Sequence, residues 1–224
     1  MKWRLIPSSY IPPNGQMECD RQLLESFQEG DDPILRFFFF DRPTLTLGRL
    51  EARRLKLEEL SFPYEIRPTG GRAVLHGSED LCYAVVASKH DPLAGGDLID
   101  SYCRIGHLLA KGIQALGREV RMVEEKHASL GDVHCFSAPS KAELTLNGRK
   151  VAGGAQARRG GVFLQQGVLL LTVSDEWKKA FPGASLEGMT GLNDPQGPTP
   201  ITRDRLEKGL IDSFEKAGAR FERP

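Results

Sequence analysis

The stretch that most constrains the fold of this 224-residue chain runs from Ala142 to Val173. Ala142 to Leu146 alternates apolar and polar side chains, Asn147-Gly148 supplies the two left-handed positions of a type I′ turn, and Arg149 to Ala152 returns. That pattern predicts a β-hairpin. Gly160-Gly161 then separates Ala155 to Arg158 from the apolar strand Val162 to Val173. Strands joined this tightly lie antiparallel, because a parallel neighbour needs a crossover of a dozen residues or more.

Other segments supply further strands and three helices. Trp3 to Ile6, Ile34 to Phe40, Thr44 to Leu47, Tyr64 to Arg67, Ala73 to His76 and Leu81 to Ala87 read as extended. The four phenylalanines Phe37 to Phe40 fit a strand buried on both faces better than a lipid-facing surface. Helices are predicted from about Met17 to Phe27, from Asp97 to Leu116 with Gly117 as its stop, and after Thr202, where Leu206, Leu210, Ile211 and Phe214 share a face. Residues 124–139 are polar and irregular, and no repeat or linker divides the chain. The expectation is a single α/β (α+β) domain over residues 1–224, with a mostly antiparallel mixed sheet flanked by helices and no C-terminal accessory domain.

Composition excludes several function classes. Thirty Lys+Arg balance thirty Asp+Glu, which argues against a nucleic-acid-coating or membrane-surface protein. No apolar run reaches the length of a membrane span and the N-terminus lacks a signal-peptide core, so a cytoplasmic location is expected. Cys19, Cys82, Cys103 and Cys135 are scattered, without a CxxC pair or a His cluster at zinc spacing. Neither a metal site nor a disulfide framework is expected.

Three segments carry candidate chemistry. In Arg67-Pro68-Thr69-Gly70-Gly71-Arg72-Ala73-Val74-Leu75-His76, paired glycines expose backbone N–H groups that can admit an elongated ligand or a phosphate. Alone, such a loop reads equally well as a plain turn. Cys135 stands on a polar loop, although most free cysteines are small buried hydrophobes. Lys150 leads along a strand into Gly153-Gly154, although a lone strand lysine is ordinarily solvated.

Taken in order, RPTGGRAVLH, the Cys135-Phe136 step and NGRKVAGGAQARRGGVFLQQG resemble the lipoate–protein ligase and octanoyltransferase superfamily, particularly octanoyltransferases of the LipM type. WRLI, LLESF, LRFFFF and TLTLGR extend the resemblance from about Trp3 to Val173. It implies a catalytic domain like that of the biotin and lipoate protein ligases. It also implies octanoyl transfer from acyl carrier protein to a lysine of a lipoyl carrier protein, such as the glycine-cleavage H protein or a lipoyl domain. Under the resemblance, Cys135 is the nucleophile and Lys150 the acyl-site lysine. Arg67, Gly70, Gly71 and His76 form the acyl-binding loop, and Gly153, Gly154 and Gln156 follow the lysine. No cofactor is implied for the transferase.

The implied chemistry suits these side chains. A carrier thioester is already activated, so a thiolate can take the acyl group without ATP. A free thiol is only a few per cent ionised at neutral pH, and the Lys150 ammonium would favour the thiolate and the developing oxyanion. His134 adjoins Cys135, but neighbours in extended chain point to opposite sides. As an exposed lysine, Lys150 is expected to contribute little to stability. Residues 141–159 carry Lys141, Arg149, Lys150, Arg158 and Arg159 against Glu143 alone, and Arg158 and Arg159 are candidates for docking acidic carrier proteins.

Two other readings share these residues. One is an ATP-dependent lipoate–protein ligase working through an acyl-adenylate, which would need ATP and Mg. The other is a non-catalytic acyl- or carrier-binding homologue. Departures from the family pattern include Leu164-Gln165-Gln166-Gly167 where LQHG is common, Gln16-Met17-Glu18 near the first helix where NMA is common, and Lys141 in place of an aromatic.

Overall fold

A computed structural model of the chain describes residues 1–9, 11–123, 142–194 and 199–222. In chain order its principal elements are β1 (Lys2–Ile6), α1 (Pro13–Ser26), β2 (Ile34–Phe38), β3 (Thr44–Leu47), β4 (Tyr64–Ile66), β5 (Val74–His76) and β6 (Leu81–Ser88). These are followed by α2 (Leu98–Ala115), β7 (Val120–Met122), β8 (Leu144–Leu146), β9 (Arg149–Arg159), β10 (Val162–Leu169), α3 (Glu176–Ala180), α4 (Arg203–Lys216) and β11 (Arg220–Phe221). The strands form an eight-stranded sheet, in the order β11-β1-β2-β6-β10-β9-β8-β7, and a three-stranded sheet, β4-β3-β5. Pairing in the large sheet is antiparallel except where β1 meets β2 and β11.

Local signals explain most boundaries. Asp97 caps α2 by accepting from the Ile99 and Asp100 amides, and Thr202 caps α4 by accepting from Arg205. The hairpin turn is built as its sequence demands, with φ of +53° at Asn147 and +75° at Gly148. Contrary to the two-piece reading of residues 149–158, β9 is one strand that passes through Gly153-Gly154, because β10 pairs with it along the whole stretch from Ala152 to Arg159.

Each face of the large sheet carries its own core. On one, Phe37, Tyr83, Val85 and Phe163 pack under α2 and α4. On the other, Phe38, Phe40, Val86, Leu164 and Val168 pack with α1 and the small sheet. Phe37, Phe38 and Phe40 are all buried. The phenylalanine run therefore feeds both cores, and each ring contributes roughly 1.5–3 kcal/mol by leaving water. Among the described residues, no helix is long and apolar enough to cross a membrane.

Candidate active site

Between the large sheet and the small one lies a cleft with about 430 Å³ of empty space, open solvent included. Its walls are mainly apolar or without side chains: Met17 of α1, Phe38 of β2, Val74 of β5, Val168 of β10, and the backbone of Gly153, Gly154 and Gly167. Thr46, Arg67, His76 and Gln166 supply the polar groups.

Arg67 organises the rim of the cleft. Its Nη1 donates to the Thr46 carbonyl at 2.6 Å and to Thr46 Oγ1 at 2.8 Å, while Nη2 donates to the Gly70 and Arg72 carbonyls, each at 2.9 Å. The guanidinium thus holds the Gly70-Gly71 loop shut on itself and is committed to three main-chain carbonyls and the Thr46 hydroxyl. Gly48 makes the closure possible: a Cβ there would overlap the Gly71 carbonyl oxygen and lie 2.7 Å from the Gly70 carbonyl carbon.

His76 is buried against Phe40, with ring centroids 4.8 Å apart. Its Nε2 lies 2.7 Å from Thr46 Oγ1 and its Nδ1 lies 3.2 Å from Cys82 Sγ. Burial, reinforced by the Arg67 charge, lowers the ring to about 3, so it is neutral at physiological pH. Burial also pushes the Cys82 thiol well above its ordinary value. A thiolate needs a neighbouring positive charge, and this neutral imidazole offers none. Cys82 is a packed thiol.

Beneath Gln166 runs a buried polar chain that sequence reasoning missed. Thr69 Oγ1 donates to Gln166 Oε1 at 3.1 Å, and Gln166 Nε2 donates to Asp20. Asp20 pairs with Arg36 at 2.6 Å, and Arg36 also donates to Gln16 Oε1. Asp20 and Arg36 are 0% and 1% exposed. Desolvation raises the Asp20 carboxyl, and the Arg36 charge opposes that shift. The available signal was Arg36 itself, a lone cation inside the apolar run Ile34-Leu35-Arg36-Phe37-Phe38. A buried charge requires a partner.

Lys150 is not the exposed lysine expected from its sequence. It is 1% exposed and its Nζ lies 2.7 Å from Glu143 Oε2. Residues 188–190 pair with β9 at this point, Lys150 N–H donating to the Gly188 carbonyl and its carbonyl accepting from Thr190 N–H, so Lys150 lies within a paired strand and its side chain is buried against Glu143. Glu143 also lines a second cavity with Tyr83, Tyr102, Gly153 and Gly154.

The family model for the lipoyl protein ligase A/B catalytic domain matches residues 12–219. The chain belongs to the lipoyl protein ligase A/B catalytic-domain family. An octanoyltransferase LipM of Carboxydothermus hydrogenoformans is 39% identical over 75% of this chain and 65% of its own length. The corresponding protein of Kyrpidia tusciae is 32% identical over 98% of this chain and 89% of its own length. In several such matches the chain spans about two thirds of the relative. A lipoate protein ligase structure from T. acidophilum superposes with a TM-score of 0.79 at 23% identity, covering 99% of this chain and 88% of that one. That likeness concerns the fold.

Within this lipoyl ligase fold, the residues singled out from sequence divide into groups. Arg67, His76, Gly153 and Gly154 line the cleft. Gly70 and Gly71 form the loop clasped by Arg67, behind the cleft wall. Gln156 does not face the cleft: it donates to Ser101 Oγ at 3.0 Å and Gln165 Oε1 at 2.7 Å, on the α2 side of the sheet. Strand alternation accounts for this, since Gln165 and Gln166 of β10 point to opposite faces. Arg158 donates to the Gly96 carbonyl and lies over the Phe163 ring, and Arg159 donates to the Glu25 carbonyl. Cys135, His134 and Lys141 lie outside the described residues. Among the described residues, no group of three or more His, Cys, Asp or Glu side chains could hold a metal ion.

Proposed function

We propose that the chain is an octanoyltransferase that moves an octanoyl group from acyl carrier protein to a lysine of a lipoyl carrier protein, such as the glycine-cleavage H protein. The observation that carries this reading is the apolar cleft whose lining cation, Arg67, is committed to its own loop. A saturated acyl chain needs apolar walls and side-chain-free backbone to lie along. A free acid would bring a carboxylate that asks for a cation. The curated octanoyltransferase relatives support the same reading.

In this account the Cys135 thiolate attacks the carbonyl carbon of the octanoyl thioester, the carrier's C–S bond breaks, and the carrier thiol departs with a proton. The acceptor lysine, as its free amine, then attacks the enzyme thioester. An amide bond forms, the enzyme C–S bond breaks, and the amine proton leaves as the thiolate is restored. Lys150 acts on the negative charge that develops in both steps, at the thiolate and at the carbonyl oxygen. No nucleotide enters either step, because the donor thioester is already activated.

The test is transfer from octanoyl carrier protein to purified H protein with ATP omitted. Acceptor octanoylation under these conditions is the expected result. A strict requirement for ATP and free octanoate would overturn the reading in favour of an acyl-adenylate ligase.

A further inference from the structure

We propose that Glu143 is a positioning residue for Lys150, fixing where its ammonium sits and which way it points; this rests on the role given to Lys150 above. Three separate features of the chain converge on the pair. The first is a register shift. Leu144 pairs with Ala152 while Thr145 pairs with Lys150, so Val151 is an extra residue on β9 and forms a β-bulge. Leu144, Leu146 and Ala152 all belong to the core under α2. Thr145, between the two leucines, points to the opposite face, and Lys150 as its partner goes with it. Without the bulge, regular alternation would place Lys150, two residues before Ala152, on the Ala152 face and in an apolar core.

The second feature is the entry into β8. Ala142, an L-residue with a side chain, has φ of +69°, a left-handed conformation that such residues rarely adopt. Its N–H donates to the Val123 carbonyl, and Val123 N–H donates back to the Glu143 carbonyl, both at 2.9 Å. This clamp fixes the main chain on either side of the Glu143 side chain.

The third is the ion pair itself. A Glu143 carboxylate 9% exposed meets an ammonium 1% exposed at 2.7 Å. An ammonium has three donors in fixed tetrahedral relation. Committing one of them to Glu143 sets the directions of the other two. A carboxylate this deep is costly unless it is paired, yet the chain bends its backbone at Ala142 and bulges it at Val151 to make the pair. Glu143 also lines the cavity that reaches Gly153 and Gly154, the same glycines that border the cleft.

The experiment is a double-mutant cycle on the full chain with Glu143→Gln, Lys150→Met and the double variant. It reads the rate of acyl uptake at saturating octanoyl carrier protein together with the donor KM. Glu143→Gln should slow uptake about tenfold or more while changing KM less than about twofold, and should have no further effect once Lys150 is gone. Glu143→Asp, which keeps the charge, should recover part of the rate. Should Glu143→Gln fail to fold, the double variant, which leaves no uncompensated charge, should match Lys150→Met. Uptake at the wild-type rate in Glu143→Gln, or an equal slowing with and without Lys150, would overturn the inference. A wild-type rate in Lys150→Met would instead remove Lys150 from the reaction, and the role proposed for Glu143 with it.

Discussion

Burial decides the chemistry of individual side chains here more than their identity does. His76 and Cys82 touch, and on paper they form a nucleophile and a base. Enclosure drives the ring down to about 3 and the thiol up, which leaves both neutral and turns the pair into packing. A ring nitrogen NMR titration should show His76 as neutral imidazole at pH 5, and an imidazolium signal there would contradict the account. The same shift affects stability. Between about pH 6.5 and 3 the unfolded chain binds a proton that folded His76 refuses, so stability is full above pH 6.5 and falls on acidification, by at most about 1.4 kcal/mol per pH unit. Asp80, raised by burial to about 7, acts in the opposite sense and loses stability as pH rises from about 4 to 7. His76→Gln should therefore remove only the acid-side loss, as measured by urea midpoints across this range. The Asp20–Arg36 pair follows the same rule of burial. Removing one partner leaves a buried charge alone, at a cost of about 3–5 kcal/mol.

At the level of elements, the legible parts were those whose signal is local. The Asn147-Gly148 hairpin, the helix beginning at Asp97, the helix beginning at Thr202, and the glycine loop at residues 70–71 all follow from short-range geometry. Elements fixed by distant partners were not legible. β11 is two residues long and exists because β1 lies beside it, and β7 is held by β8 across a long stretch of chain. The small sheet forms separately because β3 takes β4 and β5 as its two neighbours, which no local pattern reveals. In the site, Arg67, His76, Gly153 and Gly154 were visible as a motif. Asp20, Arg36 and Gln166 were not, since their meaning lies in a contact between α1, β2 and β10. The side on which Lys150 emerges depends on a bulge, which is fixed by the register of β9 against β8. Gly48 gives an element-scale test. Gly48→Ala would push the Gly70-Gly71 loop off Arg67, so it should cost about 1–3 kcal/mol of stability and slow acyl uptake. Unchanged melting and uptake would show that the loop tolerates displacement.

On the scale of the whole molecule, the large sheet works as a partition. Helices α2 and α4 fill one side with a closed core, and on the other the small sheet and α1 leave a trough instead of closing completely. The trough and the second cavity meet at Gly153-Gly154, where β9 offers backbone without side chains to both faces. Among the described residues, β9 beyond Ala152 pairs with β10. The formal charge of zero is an average over a chain whose site region is locally basic. In the proposed function one covalent event joins these features, the arrival of an acyl group on Cys135. Intact-mass measurement after mixing the chain with octanoyl carrier protein, ATP omitted, tests it most directly. A single octanoyl adduct is expected on the wild-type chain and none on Cys135→Ala. Normal octanoylation of the acceptor by Cys135→Ala would contradict it.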